Sequence, residues 1–192
     1  MKYSSLSTIY FHCSGKSNTT ETLKLAIAQA RKRKIKHLVV ASTSGTTALR
    51  LAQLCKNELS IICVTHQCGF ARAGHCELHP AVEKKLKTHN VKILKTTHLF
   101  AGIDRAIRLK FGGLAPAEIV ANTYRTLGEG VKVAVEIAIM ALDAELVPYG
   151  RDIISIAGTG VGADTAIIIR PAHSHHFFAT RIKEIICKPV KF

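Results

Sequence analysis

The chain contains 192 residues, with 27 Lys and Arg against 13 Asp and Glu, and its formal net charge is +14. This length predicts a single domain covering residues 1–192, and a hydrophobic fraction of 47% is sufficient for a buried core. No segment is apolar over a length that could cross a membrane, and the first residues lack the apolar stretch of a signal peptide. A cytoplasmic protein without a membrane partner is therefore expected.

The positive charge does not indicate a nucleic-acid partner. Lys and Arg are scattered, and the densest cluster, residues 31–36, falls at the end of a predicted helix, where cations favour the negative end of the helix dipole. The sequence contains no recognised nucleic-acid motif and no basic stretch interleaved with aromatic residues. The surplus charge is better suited to attracting a small anionic molecule.

The cysteines are irregularly spaced, and several lie in apolar stretches. They are Cys13, Cys55, Cys63, Cys68, Cys76 and Cys187. This arrangement predicts reduced, partly buried thiols.

Alternating and helical apolar patterns predict the elements in chain order. A first strand is expected over 7–13, and the spacing of Asn18 and Glu21 is typical of a capping box before a helix over 19–34. The other predicted helices cover 46–56, 80–88, 102–111, 116–127 and 131–145. The other predicted strands cover 37–41, 60–65, 91–95, 152–157, 165–170 and a short 184–187.

Strand and helix alternate over the first two-thirds of the chain, which predicts a parallel sheet with right-handed crossovers. A tight Gly-rich turn joins the strands over 152–157 and 165–170, so these two are expected to pair antiparallel. The predicted fold class is α/β, a three-layer α/β/α domain whose mostly parallel sheet contains an antiparallel late strand.

The most informative segment is Leu38 to Leu54, an apolar strand that runs through six small or hydroxyl residues into a helix. These six are Ser42, Thr43, Ser44, Gly45, Thr46 and Thr47. A helix start offers unpaired N–H groups and a positive dipole end, and the hydroxyls add donors, so the loop suits a phosphate. The alternative is an ordinary strand-to-helix turn with a Ser/Thr cap.

Polar and glycine residues also follow the other predicted strands. In open α/β sheets, ligands bind beyond the carboxyl ends of the strands, so these residues predict one donor-rich crevice for a phosphorylated ligand. They include His12 to Gly15 with Asn18 and Thr19, then Thr65, His66, Gln67, Gly69 and Phe70, then Thr96 to His98, and finally Gly158, Thr159, Gly160, Gly162, Asp164 and Thr165.

Several of these residues have alternative interpretations. His66 is either a surface histidine or a ligand contact, and Phe70 either belongs to the core or stacks on a flat ring. The turn over 158–162 is either a second anion-binding turn or a hairpin turn that needs positive φ. A Rossmann site is disfavoured there, because this turn joins two strands.

Glu136 lies in a helix that is apolar nearly all round. A buried carboxylate needs a partner, and Lys132 lies four residues earlier. Glu136 is therefore either one half of a structural ion pair or a ligand contact.

Two groups of metal-binding residue types occur in predicted loops. One contains Cys68, His75, Cys76 and His79, and the other runs from His173 to His176. Neither has a zinc-site spacing, so no metal is expected. No arrangement of residues typical of a known catalytic site is recognisable, and the catalytic residues stay unknown.

Several segments together resemble the C-terminal α/β domain of pyruvate kinase, and more specifically the stand-alone proteins similar to that domain. They are the helix start at Asn18 and Thr19, KHLVVAST, the loop over 66–70, THLFAGIDRAI, VEIAIMA, GVGADTAIIIRPAH and IKEIIC. The resemblance implies five central strands with the last antiparallel, and a bound FMN. It also implies no pyruvate kinase activity, because the catalytic barrel cannot fit in this length.

The resemblance also implies roles for individual residues. Ser44, Gly45, Thr46 and Thr47 would hold the FMN phosphate, while His66, Gly69, Phe70, Glu136 and the turn over 158–165 would flank the ribityl chain and ring. The expected function is binding of FMN or another phosphorylated small molecule. The alternatives are a flavin-dependent oxidoreductase, with Glu136, His66 or Asp164 as acid or base, and a regulatory sensor of a sugar phosphate. An exposed sheet edge at the C-terminus would make a homo-oligomer reasonable.

Overall fold

The computed structural model of the protein describes residues 5–192, and a single sheet runs through the middle of this region. Its strands are β1 (Ile9–Cys13), β2 (His37–Ala41), β3 (Ser60–Thr65), β4 (Lys92–Lys95), β5 (Ile153–Ala157), β6 (Thr165–Arg170) and β7 (Arg181–Lys191). The helices are α1 (Thr19–Arg33), α2 (Thr46–Cys55), α3 (Pro80–Thr88), α4 (Ile103–Phe111), α5 (Pro116–Arg125) and α6 (Glu129–Asp143). Short 3-10 turns cover Lys16–Asn18 and Ser174–Ala179.

The strands lie in the order β1-β7-β6-β5-β2-β3-β4. β6 is antiparallel to both of its neighbours, whereas the other described pairs are parallel. The predicted mostly parallel sheet with an antiparallel late strand is confirmed. The carboxyl ends of β2, β3 and β5 therefore meet at one edge of the sheet, where the β5–β6 turn also lies.

Helices cover both faces of the sheet, as a three-layer fold requires. One apolar cluster joins α1, α2 and α3 to the sheet through residues such as Leu23, Leu51 and Leu86. The other joins α6 to the opposite face through residues such as Val135 and Ile139. Successive side chains of β2 point to opposite faces of the sheet, so Leu38 and Val40 pack in the first cluster and Val39 packs in the second.

The C-terminal strand differs most from its prediction. β7 has 11 residues rather than the four expected, and it lies between β1 and β6. The described sheet contains all seven predicted strands, and its edges are β1 and β4. Its five consecutive strands β6-β5-β2-β3-β4 match the five central strands that the resemblance implies, with β6 antiparallel. The C-terminal edge that was the reason for expecting self-association does not exist, because β1 pairs with it in parallel register from Ile9↔Cys187 to Cys13↔Lys191.

The capping box predicted at Asn18 is also wrong. Asn18 donates its side-chain amide to the Cys13 carbonyl at 2.7 Å and does not cap α1. A 3-10 turn before α1 moves the chain out of the geometry that a capping box needs. The Thr19 hydroxyl instead donates to the Lys16 carbonyl at 2.8 Å and accepts from the Ala163 amide at 3.0 Å, which ties α1 to the β5–β6 turn.

The prediction of reduced thiols is wrong for one pair. Cys68 and Cys76 form a disulfide in the loop between β3 and α3, with their Cα atoms 4.4 Å apart. The other four cysteines are free, as predicted, and Cys55, Cys63 and Cys187 are buried. Within residues 5–192, no helix has both the length and the apolar character needed to cross a membrane.

Candidate functional site

A cleft of about 1150 Å³ opens at the carboxyl ends of β2, β3 and β5. Its walls come from the β2–α2 loop, the start of the β3–α3 loop, the β5–β6 turn, the residues before α1, and helices α4, α5 and α6. Twelve of the predicted site residues line it: Ser42, Thr43, Ser44, Thr46, Thr47, Thr65, His66, Phe70, Glu136, Gly158, Gly160 and Gly162. The remaining five, Gly45, Gly69, Thr159, Asp164 and Thr165, are not part of its lining.

The hydroxyl loop (residues 42–47) divides its side chains between two tasks. Ser42 is buried, and its Oγ accepts from the amides of Thr47 at 3.2 Å and Ala48 at 3.4 Å, so it caps α2. The hydroxyls of Ser44 and Thr46 are exposed in the cleft and 3.0 Å apart. Among the described residues, the backbone amides of Ser44 and Thr46 have no acceptor. The Ser42 hydroxyl thus serves as the cap. The hydroxyls of Ser44 and Thr46 share one hydrogen bond in which either can donate, and the backbone amides of these two residues stay available to a ligand.

Gly45 sets the backbone conformation of this loop on the side that packs against α3. Its φ is +80°, and a Cβ there would lie 2.7 Å from both Leu78 Cδ1 and Val82 Cγ1, so the residue faces α3 rather than the cleft. Its amide donates to the Ser42 carbonyl at 3.2 Å. Glycine is therefore needed at this position for backbone conformation and for close packing on α3.

Three rings form an aromatic wall, defined here as His66, Phe70 and His98. The His66 and Phe70 ring centroids are 4.1 Å apart, and His98 lies 5.3 and 5.4 Å from them. The Arg105 guanidinium stands 5.2 Å from the centre of the Phe70 ring. Burial lowers the pKa of His98 and outweighs the opposing effect of the Glu136 carboxylate, and Lys132 and Arg105 lower it further, which favours the neutral imidazole. His66 Nδ1 lies 2.8 Å from Glu77 Oε2, so its ring is held by a carboxylate.

Glu136 and Lys132 form the predicted ion pair at the back of the cleft. Lys132 Nζ donates to Glu136 Oε2 at 2.6 Å, and the two residues are only 9% and 4% exposed. The Phe100 amide donates to the other carboxylate oxygen at 3.0 Å, so both oxygens have protein partners. The ion pair that one interpretation of Glu136 requires is present, and both side chains also line the cleft.

The β5–β6 turn uses most of its polar groups internally. The fully buried Asp164 accepts from the amides of Gly15 at 2.9 Å and Thr159 at 3.1 Å, and from the Thr165 hydroxyl at 2.8 Å. Only the glycines of this turn and Val161 reach the cleft. Asp164 therefore holds the cleft wall in place from behind and is not positioned as an acid or base within the cleft.

Cations at the cleft divide into paired and unpaired groups. Arg108 pairs with Glu118 and Arg125 with Glu129, each at 2.5 Å. Lys16, Arg50 and Arg105 line the cleft with no carboxylate partner among residues 5–192. The sequence interpretation missed all three. Arg50 was detectable, because it follows Thr46 by one helical turn and so shares its face of α2.

Neither of the two His-containing groups is arranged as a metal site. Within the described residues, no group of three or more His, Cys, Asp and Glu side chains could hold a metal ion. Cys68 and Cys76 are bonded to each other, and His173 Nδ1 contacts Asp143 Oδ1 at 2.9 Å.

The chain belongs to the pyruvate kinase alpha/beta domain family, which it matches over residues 20–169. Among solved structures it is similar to a pyruvate kinase from Cryptosporidium parvum, with 18% identity and a TM-score of 0.41, over 78% of this chain and 22% of that one. It is also similar to the same organism's pyruvate kinase in complex with ADP, with 16% identity and a TM-score of 0.39, over 88% and 23%. The chain spans about a fifth of the length of these enzymes.

Proposed function

We propose that the cleft binds a phosphorylated small molecule through the hydroxyl loop. The observation that carries this proposal is the group of donors available there at the start of α2. They are the backbone amides of Ser44 and Thr46, which have no acceptor among the described residues, and whichever of the two hydroxyls does not donate to the other. Arg50 on the same helix and Lys16 across the cleft add positive charge that no carboxylate neutralises among the described residues. A phosphate accepts such neutral and charged donors together, and the dipole of α2 adds to the attraction.

FMN is the first candidate among such molecules. The fit rests on having, in one cleft, a donor group for its phosphate and an aromatic wall against which a flat ring could stack. Ser44, Thr46 and Arg50 would hold the phosphate, and Phe70 with His66 would flank the ring. When bound, a flavin supplies hydride and electron transfer.

Binding without chemistry is the primary proposal, and flavin-dependent oxidoreductase activity is the alternative. Of the three acid or base candidates, Asp164 lies outside the cleft lining and Glu136 is tied to Lys132. His66, held by Glu77, is left as the candidate for moving a proton within the cleft. A sugar-phosphate sensor would use the same donors, so only ligand competition separates it from an FMN protein.

Pyruvate kinase activity is not part of the proposal. The chain corresponds to about a fifth of the enzymes it matches, and residues 5–192 form one α/β domain without a barrel. A cytoplasmic location stays a prediction from the sequence, whereas the homo-oligomer has lost the C-terminal sheet edge on which its prediction rested.

The experiment compares FMN with riboflavin, which lacks only the phosphate. Purified protein is first examined for flavin absorbance, then stripped and titrated with each ligand by fluorescence quenching. We expect FMN to bind about 100-fold more tightly, because charge-assisted hydrogen bonds to the phosphate are absent with riboflavin. Equal affinities would refute the phosphate assignment, and binding of neither would exclude a flavin.

Competition and reduction then separate the alternatives. Displacement of FMN by a fructose phosphate at comparable affinity would favour the sensor. Rapid bleaching of bound flavin by NADPH would favour the oxidoreductase, and the absence of bleaching would favour a binding protein.

A further inference from the structure

The loop over 66–79, between β3 and α3, carries part of the cleft on a segment with little packing of its own. Its far end is fixed, because Leu78 is 2% exposed and His79 Nδ1 accepts from the Ala81 amide at 3.2 Å at the start of α3. Residues 71–75 between the ends are all exposed. Few buried apolar contacts hold such a segment, so its order depends on local cross-links.

The strongest local cross-link is the Cys68–Cys76 disulfide. Two backbone hydrogen bonds lie inside the segment it closes, Gly69 N to His75 O at 2.8 Å and His75 N to Arg72 O at 3.0 Å. Just outside that segment, the contact between His66 and Glu77 is a second, noncovalent link between the same two ends of the loop. A covalent bond removes open conformations that exposed hydrogen bonds alone cannot exclude.

The same cross-link sets the position of cleft residues. Cys68 lies between His66 and Phe70 in sequence, and Cys76 precedes Glu77; these three neighbours all line the cleft. Phe70 is 37% exposed and contacts His66, His98 and Arg105, all of them near the cleft. If the loop opens, Phe70 has no core contact to keep it in the aromatic wall.

We infer that the Cys68–Cys76 disulfide is a redox-controlled clamp on the aromatic wall of the cleft. A dithiol reductant transfers two electrons and two protons, the S–S bond breaks to give two thiols, and the reductant leaves as its own disulfide. The loop over 66–79 then opens, and the cleft loses the ordered Phe70. This inference rests on the proposed function for its effect on ligand affinity, but not for its effect on the loop.

The distribution of cysteines makes the redox state of this pair measurable. Cys68 is exposed and Cys76 half-buried, so a soluble dithiol can reach the bond. Cys55, Cys63 and Cys187 are buried, and burial raises their pKa to about 11, about 12 and about 12. Cys13 is exposed and serves as an internal reference.

The first measurement counts fast-reacting thiols in the folded protein with a coloured disulfide reagent. Protein purified without reductant should show one fast thiol, Cys13, and protein treated with dithiothreitol and desalted should show three. Three fast thiols before reduction, with no decrease under mild oxidation, would overturn the clamp.

The second measurement follows the loop itself by trypsin cleavage after Arg72, with cleavage after Lys56 in the α2–β3 turn as the reference. We expect cleavage at Arg72 to be about tenfold faster after reduction, while the rate at Lys56 stays unchanged. The Cys68→Ser/Cys76→Ser variant should cleave at the fast rate in both conditions, and a Cys13→Ser variant should behave like the unaltered protein. Equal rates at Arg72 in oxidised and reduced protein would overturn the proposal.

Ligand titration completes the test and separates the two proposals. FMN affinity should fall about fivefold on reduction and in the double variant, since an ordered contact surface is lost. If Arg72 becomes accessible on reduction but FMN binds to no form, the clamp is supported and FMN as the ligand is refuted. If FMN binds with one affinity in every redox state, the clamp does not control the cleft.

Discussion

The hydroxyl loop (residues 42–47) and the β5–β6 turn have similar polar, flexible sequences and opposite uses. Both follow buried strands at the same sheet edge. In the hydroxyl loop, Ser44 and Thr46 line the cleft, and among the described residues their hydroxyls bond only to each other and their backbone amides have no acceptor. In the turn, Asp164 takes up the donors of Gly15, Thr159 and Thr165.

The difference lies in one carboxylate. A buried anion inside a donor-rich turn satisfies that turn internally, so no ligand is needed. A donor-rich loop without an acidic residue leaves its donors, and the positive N-terminal end of the helix that follows it, available to an external anion. An acidic residue inside a Gly-rich or Ser/Thr-rich turn is therefore a sign of structural use.

The largest expected effect is the loss of this carboxylate. Asp164→Ala leaves two amides and one hydroxyl unpaired in a buried site, so we expect about 4 kcal/mol less unfolding free energy in urea. Thr159→Val is the matched control: the Thr159 hydroxyl is buried without a partner in residues 5–192, so its removal should not destabilise the protein. A loss below about 1 kcal/mol for Asp164→Ala would contradict the structural role of the turn.

The second prediction puts a carboxylate into the other loop. Thr46→Asp places an anion at the first position of α2, which should weaken FMN binding about 100-fold by repelling the phosphate. The same change should leave thermal stability equal or slightly higher, because an acid suits a helix N-terminus.

Thr46→Ser is the control for this variant, since it keeps the hydroxyl and the neutral charge. Its FMN affinity should stay within about threefold of the unaltered protein. If Thr46→Asp also retains full affinity, the phosphate does not bind at this loop.

A third prediction compares two glycines of the β5–β6 turn. Gly160 and Gly162 both have positive φ, at +72° and +83°, so alanine costs each about 1 kcal/mol of backbone strain. A Cβ on Gly160 meets open space, whereas one on Gly162 meets the Thr19 hydroxyl and lies 2.8 Å from Lys16 Cα. Gly162→Ala should therefore lose about 2 kcal/mol more than Gly160→Ala in urea unfolding. Equal losses of unfolding free energy would contradict this prediction and would indicate that Lys16 and Thr19 can move away from the added methyl group at little cost.

The smallest effect is expected for Arg50→Ala. This exposed side chain has no carboxylate partner among the described residues, so stability should change by less than about 0.5 kcal/mol. FMN affinity should fall about fivefold, and its dependence on salt should weaken, because one cation near the phosphate is lost. Arg151→Ala is the matched control, because it removes an exposed cation that also has no carboxylate partner among the described residues and that lies outside the cleft lining.

Much of the fold was predictable because apolar periodicity is a local signal. α2, α3, β2, β3, β5 and β6 lie within a residue or two of their predicted ranges. The length and position of β7 were not predictable, because its residues alternate only weakly between charged and apolar. Its strand conformation depends on pairing with β1 and β6. Long-range pairing of this kind leaves little trace in a local window.

The candidate site also has one part that was predictable from local sequence and another that depends on contacts between distant residues. The hydroxyl loop was predictable, because strand, donors and helix follow one another directly. The role of Asp164 depends on Gly15, which is 149 residues away in the sequence, and the position of Arg105 over Phe70 depends on how α4 docks. The disulfide was missed because irregular spacing and an expected reducing compartment both argued against it.

The parallel pairing of β1 with β7 has a consequence for the order in which the protein matures. Ser14 donates to the Lys191 carbonyl at 3.1 Å, so the two ends of the described chain meet beside Lys16 and the cleft. Contacts between such distant residues form late in folding, because a long loop must close first. During synthesis, helices α1 to α6 and five strands can assemble before β7 leaves the ribosome, whereas β1 pairs with no described strand until β7 is made.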